Sequence, residues 1–409
     1  MNDWKRILAV LFVAQLLSAM GFSMIFPFLP NYVASLGSAW NLNLVFLAGA
    51  VFSAQAFTMM LASPVWGAVA DRVGRKPMVM RALLGGGLLI FLMAFARSAE
   101  ELVLLRMLQG VVTGVVSASS ALVASVAPRE RSGFALGTLQ MALTSGVALG
   151  PVIGGVMADL FGYRAAFVVT AALMLLGALL VQFGVHESFT PPANARSLRG
   201  IGRDWSHIVR TPDVHRTFAA RFVAWLGRGV MIPILPLFVP ILLATEARTG
   251  TFTGLVIGAS AATATASAVV LGSLGDRIGH KPVLIGSSLL AALCYLPMAF
   301  VDAGWQLLLL NAAAGVAVGG VMPSLSALLN VATEQTEVGS AFGLDNAVIA
   351  ASRAVAPLVG VGLATLLGGG EMGYRAVFVM AAALFLVTIV IAAGLKRPAF
   401  AAAARPTGD

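Results

Sequence analysis

Charge is what this chain of 409 residues has least of. Asp, Glu, Lys and Arg make up 11% of it, against about 25% in an ordinary globular protein. Hydrophobic residues make up 59% and mean hydropathy is +0.93. Such a chain cannot clothe a water-facing surface, so its solvent is lipid. Cysteine is nearly absent too: Cys294 is the only one, which excludes a disulfide framework and a cysteine-rich metal site. Of the four histidines, His186, His207 and His215 share one polar stretch and His280 sits in another, with no metal-ligand spacing on a common helical face. A metalloenzyme finds no support here, and neither a metal nor a cofactor is expected.

Long charge-free runs are what the chain has instead. Residues 7–70 contain no Asp, Glu, Lys or Arg, enough for two spans of about 20 residues each, divided by the polar stretch 37–43. Single spans are expected over 82–96, 107–127, 132–158, 165–185, 249–275, 282–301, 303–333 and 376–395. Two further stretches, about 217–243 and 338–367, are apolar enough to cross but carry charges inside. The total expected is twelve. Lipid gives backbone groups no partner, so spans are helices or closed barrel strands, and runs without period-two alternation exclude the barrel. The fold class is therefore an all-α membrane protein. The N-terminal segment lacks a small-residue cleavage site and continues into a second span, so it reads as a first helix and not a removed leader.

Orientation follows from the cations. With the N-terminus inside, 18 of the 26 Lys and Arg fall on the cytoplasmic side; Arg97, Arg164, Arg248 and Arg375 fall outside, and Arg106, Arg221, Arg228 and Arg353 within spans. This asymmetry places both termini in the cytoplasm. The formal charge of +9 reflects topology, and no nucleic-acid partner is implied. The loop carrying Glu334 and Glu337 runs against the trend.

The sequence repeats with a period near 205 residues. Pro27 and Pro30 return as Pro233 and Pro236, Asp71 as Asp276, Gly110 as Gly315, Pro151 as Pro357, and the segment 162–167 as 373–378. An even number of spans per half makes the repeats parallel, with a site expected at their interface near the bilayer midplane. The expected division is a six-helix bundle over 1–186, a cytoplasmic linker over 187–216 and a second six-helix bundle over 217–409, related by pseudo-two-fold symmetry.

Between spans two and three stand Gly67, Asp71, Arg72, Gly74, Arg75, Lys76 and Pro77, with a degenerate copy at Gly272, Asp276, Arg277, Gly279, His280, Lys281 and Pro282. An aspartate at a helix end can clamp a neighbouring helix terminus, and glycine lets a short loop turn. In span five, Gly137, Gly146, Gly150, Pro151, Gly154 and Gly155 form G-x8-G-x3-G-P-x2-G-G. Glycines let a partner helix approach closely, and proline supplies a bend. Span four carries Arg106, Gln109 and Gly110 as R-x-x-Q-G. With these motifs over essentially its whole length, the chain resembles the major facilitator superfamily, and within it the twelve-span drug:proton antiporters. The resemblance implies a multidrug exporter of the bacterial inner membrane that works by alternating access. Its implied partners are a small-molecule substrate, protons and membrane lipid, its implied state is a monomer, and no enzyme activity is implied.

An ionisable group inside a span costs at least about 2.5 kcal/mol on insertion scales, so each needs a reason. Arg221, about one turn into span seven, can snorkel to the surface. By helical rise Arg228 lies roughly 15 Å deep, Asp345 about 10 Å and Arg353 about 22 Å. Asp345 is the only carboxylate expected well inside a span. Proton antiport needs such a group, since burial disfavours its charged form and a nearby arginine favours it. The expected coupling set is Asp345, Arg353 and Arg106. Arg228, Gln15, Gln55, Thr58, Gln140, Asn311 and Asn346 are expected to line the substrate path, beside apolar Phe22, Phe26, Met59, Met141 and Trp225. Many antiporters of this kind carry acids in the first-half cavity. This chain does not, and four span arginines against one aspartate also fit anionic amphiphiles or anionic metabolites.

Overall fold

The structure is a computed structural model that describes residues 3–187, 212–243, 248–333 and 338–395. Most of the linker expected over 187–216 lies outside the described residues, as do Glu334, Glu337 and the side chain of Asp71. Among the described residues every regular element is helical. Eleven helical stretches are long and apolar enough to cross a membrane. One of them, Ser132–Gly184, has 53 residues and contains Gly162 with φ 82° and ψ 165°. At 1.5 Å per residue an unbroken helix of that length would be about 80 Å long, far beyond a bilayer. Gly162 is therefore the turn between spans five and six, and the described residues form twelve crossings.

The spans are, in order, Asp3–Met24 continued by Leu29–Leu36, Leu44–Val73, Lys76–Met93, Ala99–Val112 continued by Val115–Val126, the two parts of Ser132–Gly184, Pro212–Gly229 continued by Ile234–Leu242, Thr249–Ile278, His280–Met298, Gly304–Ala332, Val338–Leu366 and Gly370–Ala393. Spans one and seven break where their paired prolines fall: Pro27 and Pro30, then Pro233 and Pro236. Proline removes a backbone donor and clashes with the preceding turn. Buried apolar residues form one large core between Ile7 and Val185 and another between Ala220 and Leu395.

The repeat is visible in hydrogen bonds. Thr58 Oγ1 donates to the Met107 carbonyl at 2.7 Å, and 205 residues on Thr263 Oγ1 donates to the Ala312 carbonyl at 2.7 Å. Between those helices a Cβ on Gly110 would overlap Thr58 Oγ1 and the Gln55 carbonyl, and one on Gly315 would overlap Thr263 Oγ1 and the Ser260 carbonyl. Small residues here are a packing requirement. The short loops match as well: Gly74 has φ 99° and Gly279 φ 97°, a left-handed turn that glycine adopts without a Cβ penalty.

Candidate functional site and relatives

The two halves touch at one end of the bundle. There a Cβ on Gly155 would overlap the Gly250 carbonyl, one on Gly254 the Pro151 carbonyl, and one on Gly49 would crowd Val361 and the Pro357 carbonyl. The Asp159 carboxylate at the end of span five accepts hydrogen bonds from the amides of Gly250 (3.0 Å) and Thr251 (2.6 Å) in the first turn of span eight. A carboxylate on a helix N-terminus satisfies two orphan donors and opposes the positive end of the helix dipole. At the other end the glycines of the same four spans make no such close contact. A Cβ on Gly67, Gly137, Gly272 or Gly343, in spans two, five, eight and eleven, would meet nothing within 4 Å.

This divides the span-five glycines by role. Gly146, Gly150 and Gly154 pack on span one: a Cβ on Gly150 would overlap Ser23 Oγ and the Met20 carbonyl, and one on Gly154 the Met24 carbonyl. Pro151 and Gly155 meet span eight of the other half, and Gly137 meets nothing. The joint between the halves thus lies at Pro151, Gly155, Gly250 and Gly254, and Gly150 belongs to the interior of the first half.

The loop residues are also sorted. Lys76 Nζ donates to the carbonyls of Gln182 (2.9 Å) and Val185 (2.7 Å) at the end of span six, and Lys281 Nζ donates to Ala393 (2.7 Å) at the end of span twelve. A cation on terminal carbonyls complements the helix dipole. Glu187 accepts from the amides of Arg75 (2.9 Å) and Lys76 (2.7 Å) at the start of span three. Sequence reasoning missed Glu187, whose one signal was a lone acid just after a span. Asp71 lies on the last turn of its helix, Arg72 and Arg277 are exposed, and His280 Nε2 is 3.2 Å from an Asp276 oxygen.

Asp345 is buried and its partner is Arg221: Nε to Oδ1 is 3.0 Å, with 3% and 5% of the two side chains exposed. Arg221 also donates to the Met322 carbonyl (3.2 Å) and Ser326 Oγ (2.8 Å). It does not snorkel, because three acceptors from spans ten and eleven meet it about two and a half turns inside span seven. Nor does Arg353 pair with Asp345, although both sit on span eleven. Eight residues are a little over two turns, which sets them about 12 Å apart along the helix. On span seven the Arg228 guanidinium carbon lies 5.6 Å from the Trp225 ring centroid. Neither Arg228 nor Arg353 has a carboxylate partner among the described residues.

In the first half Arg106 is fully buried. Its Nε donates to the Val51 carbonyl at 3.3 Å and Nη1 to Gln109 Oε1 at 2.7 Å, while Nη2 has no partner. Its repeat counterpart Asn311 donates to the Val256 carbonyl at 3.0 Å, so the same backbone contact is made by a neutral amide in the second half. Thr58 and Asn311, expected along the path, are spent on helix packing. Gln55 and Gln15 are buried, and Gln140 and Asn346 are exposed. A cavity of about 440 Å³ is lined by Gln15 and Gln140 together with residues of spans four and five.

By sequence the chain matches the Major Facilitator Superfamily over residues 11–239 and 217–408. It is 34% identical to the multidrug resistance protein MdtG of Enterobacter lignolyticus over 408 residues, covering 100% of this chain and 96% of that one. It is also 34% identical to MdtG of Salmonella dublin over 389 residues, or 95% of each. Among solved structures it resembles a bacterial homologue of the human lysosomal transporter Spinster, inward-facing and occupied (TM-score 0.77, 14% identity, 96% of each chain covered). The human organic anion transporter MFSD10 superposes with TM-score 0.66 at 20% identity, covering 96% of this chain and 100% of that one. The chain belongs to the major facilitator superfamily: it is a multi-pass membrane transporter and not an enzyme.

Proposed function

We propose that this transporter couples export of small hydrophobic or amphiphilic compounds to proton entry, by alternating access, in a bacterial inner membrane. Its units are 1–186 and 217–409, joined by 187–216, and it acts as a monomer. Lys5, Lys76, Arg131 and Lys281 flank spans on the side of the glycine turns at Gly74 and Gly279, and positive-inside orientation puts that side, with both termini and the opening, toward the cytoplasm. The joint at Asp159, Gly155 and Gly254 then closes the outer side. Gly67, Gly137, Gly272 and Gly343 mark surfaces that come together when the inner side closes. The loop around Asp71 and its copy at Asp276 secure that closure.

The Arg221–Asp345 pair is the observation that carries proton coupling. A proton arriving at an Asp345 oxygen neutralises the carboxylate and leaves Arg221 with its Met322 and Ser326 contacts only. Removing one partner of a buried pair is costly, so protonation and the arrangement of spans seven, ten and eleven are linked. Arg106 and Arg353 contribute fixed positive charge that favours proton release from the same cavity. Addition of substrate to purified protein in weak buffer tests this directly. Proton release is expected, with none from Asp345→Asn; equal release from both overturns the coupling role.

Arg228 and Arg353 favour a second reading for the cargo. Two guanidinium groups within spans seven and eleven, without a carboxylate partner among the described residues, leave net positive charge that an anionic amphiphile or metabolite would balance. Their position suits cargo with an anionic end.

A further inference from the structure

The cavity in the first half has features that the coupling pair and the arginines of the second half leave unexplained. Its volume, about 440 Å³, lies in the range of small-molecule sites. It is lined by Gln15, Ser120, Gly137 and Gln140 with Leu136 and Leu143, and among the described residues no ionisable side chain lines it.

One wall is the second part of span four, Val115–Val126, separated from the first part by Gly114 at φ 138°. The break is held from outside the helix. Trp66 Nε1 donates to the Val111 carbonyl at 2.6 Å, Arg81 Nη2 to the Thr113 carbonyl at 3.4 Å, and the Arg81 guanidinium carbon stands 3.6 Å from the Trp66 ring centroid. Irregular backbone at membrane depth persists only where protein or a cavity satisfies it. Spans two and three do so here, which leaves the half-helix free to serve as a cavity wall.

Gln15 is 1% exposed and its Oε1 has no hydrogen-bond partner. A buried amide oxygen without a donor is unfavourable, and this one belongs to a side chain on the cavity wall. Gly137, whose Cβ would meet nothing within 4 Å, keeps the opposite wall open. Packing does not explain that glycine; space does.

We propose that this cavity is a binding subsite for the uncharged, mostly apolar part of a cargo molecule that carries an N–H or O–H donor: an amide, a phenol or an alcohol. The donor is received by Gln15, with Gln140 and Ser120 beside it, and the apolar body lies on Leu136 and Leu143. The assignment rests on the exporter reading and narrows it, because an uncharged cavity in the first half complements the arginines of the second.

The test is equilibrium binding of dansylamide, an uncharged sulfonamide with two N–H donors and an environment-sensitive ring, to the full chain in lipid nanodiscs. Its N,N-dimethyl analogue, which has no donor, is the comparison. One good hydrogen bond is worth about tenfold in affinity, so dansylamide should bind wild type about tenfold tighter than the analogue. The difference should vanish in Gln15→Leu. Gly137→Leu, which builds side chain into open space and leaves the thermal midpoint unchanged, should weaken both ligands. The proposal is overturned by wild-type affinity for dansylamide in Gly137→Leu, or by an undiminished difference between the two ligands in Gln15→Leu. Should the second variant fail to fold, the first decides. No pH gradient is used, so failure of proton coupling would leave the titration unchanged, and failure here would leave the coupling pair untouched.

Discussion

The two halves of this transporter share one frame and differ in what it holds. Thr58 and Thr263 make the same bond, Gly110 and Gly315 admit the same close approach, and Lys76 and Lys281 cap equivalent helices. Yet the second half contains a buried carboxylate paired with arginine, and the first contains a buried arginine with amide and carbonyl partners only. Repeated positions carry the scaffold, which needs symmetry for two bundles to rock against each other. The proposed proton and cargo sites fall at unrepeated positions, where two different groups are needed.

That contrast can be broken experimentally. The largest expected effect is Arg221→Ala, which strands the Asp345 carboxylate among apolar neighbours. Loss of one member of a buried pair costs about 3–5 kcal/mol, seen as a large fall in folded protein after extraction. Removing both charges together, as Arg221→Met with Asp345→Leu, should restore most of the folded fraction without uphill transport. Next is Gly254→Leu at the outer joint, where even a Cβ overlaps the Pro151 carbonyl. Transport should drop at least tenfold, whereas Gly272→Leu, facing open space, should bind substrate normally and be slowed in closing the inner side on the loaded carrier; equal defects in single-turnover binding would contradict the division between joint and opening.

Asp159→Ala should act more gently. It removes two acceptors that hold span eight to span five, at a half-buried site where water replaces much of the loss and the net cost is about 1 kcal/mol. The outward-open population should rise several-fold, read as labelling of a cysteine at Val152 from outside in a Cys294→Ala background. No change in labelling would show that glycine packing alone sets the closed side. Smallest and most pointed is the matched pair Thr58→Val and Thr263→Val. Each loses one neutral hydrogen bond worth about 0.5–1.5 kcal/mol, and the two should lower the thermal midpoint equally. A marked difference would mean that the symmetry is of shape and not of energy.

Much of the frame is legible in the sequence, because lipid makes composition decisive. A charge-free run long enough to cross must be a helix, and the 205-residue repeat of Pro151, Asp71 and Gly110 announces two bundles. The charged residues were harder to read. Asp345 stands out as the deep carboxylate, but its partner depends on how spans seven, ten and eleven face one another. A shared span points to Arg353, while the packed geometry brings up Arg221. Thr58 and Asn311 are polar at positions where a path is expected, and only the packing reveals that their donors go to backbone carbonyls of neighbouring spans. Spacing likewise treats Gly137 and Gly150 as one motif, although one faces open space and the other a helix.

The central claim is that Asp345, released from and returned to Arg221, carries the driving proton. It is tested most directly by Asp345→Asn, which keeps shape and removes titration, reconstituted in proteoliposomes with an imposed pH difference. The variant should bind substrate and allow downhill exchange but fail to concentrate substrate against its gradient. Uphill transport by Asp345→Asn with the pH dependence of the wild type would contradict the account.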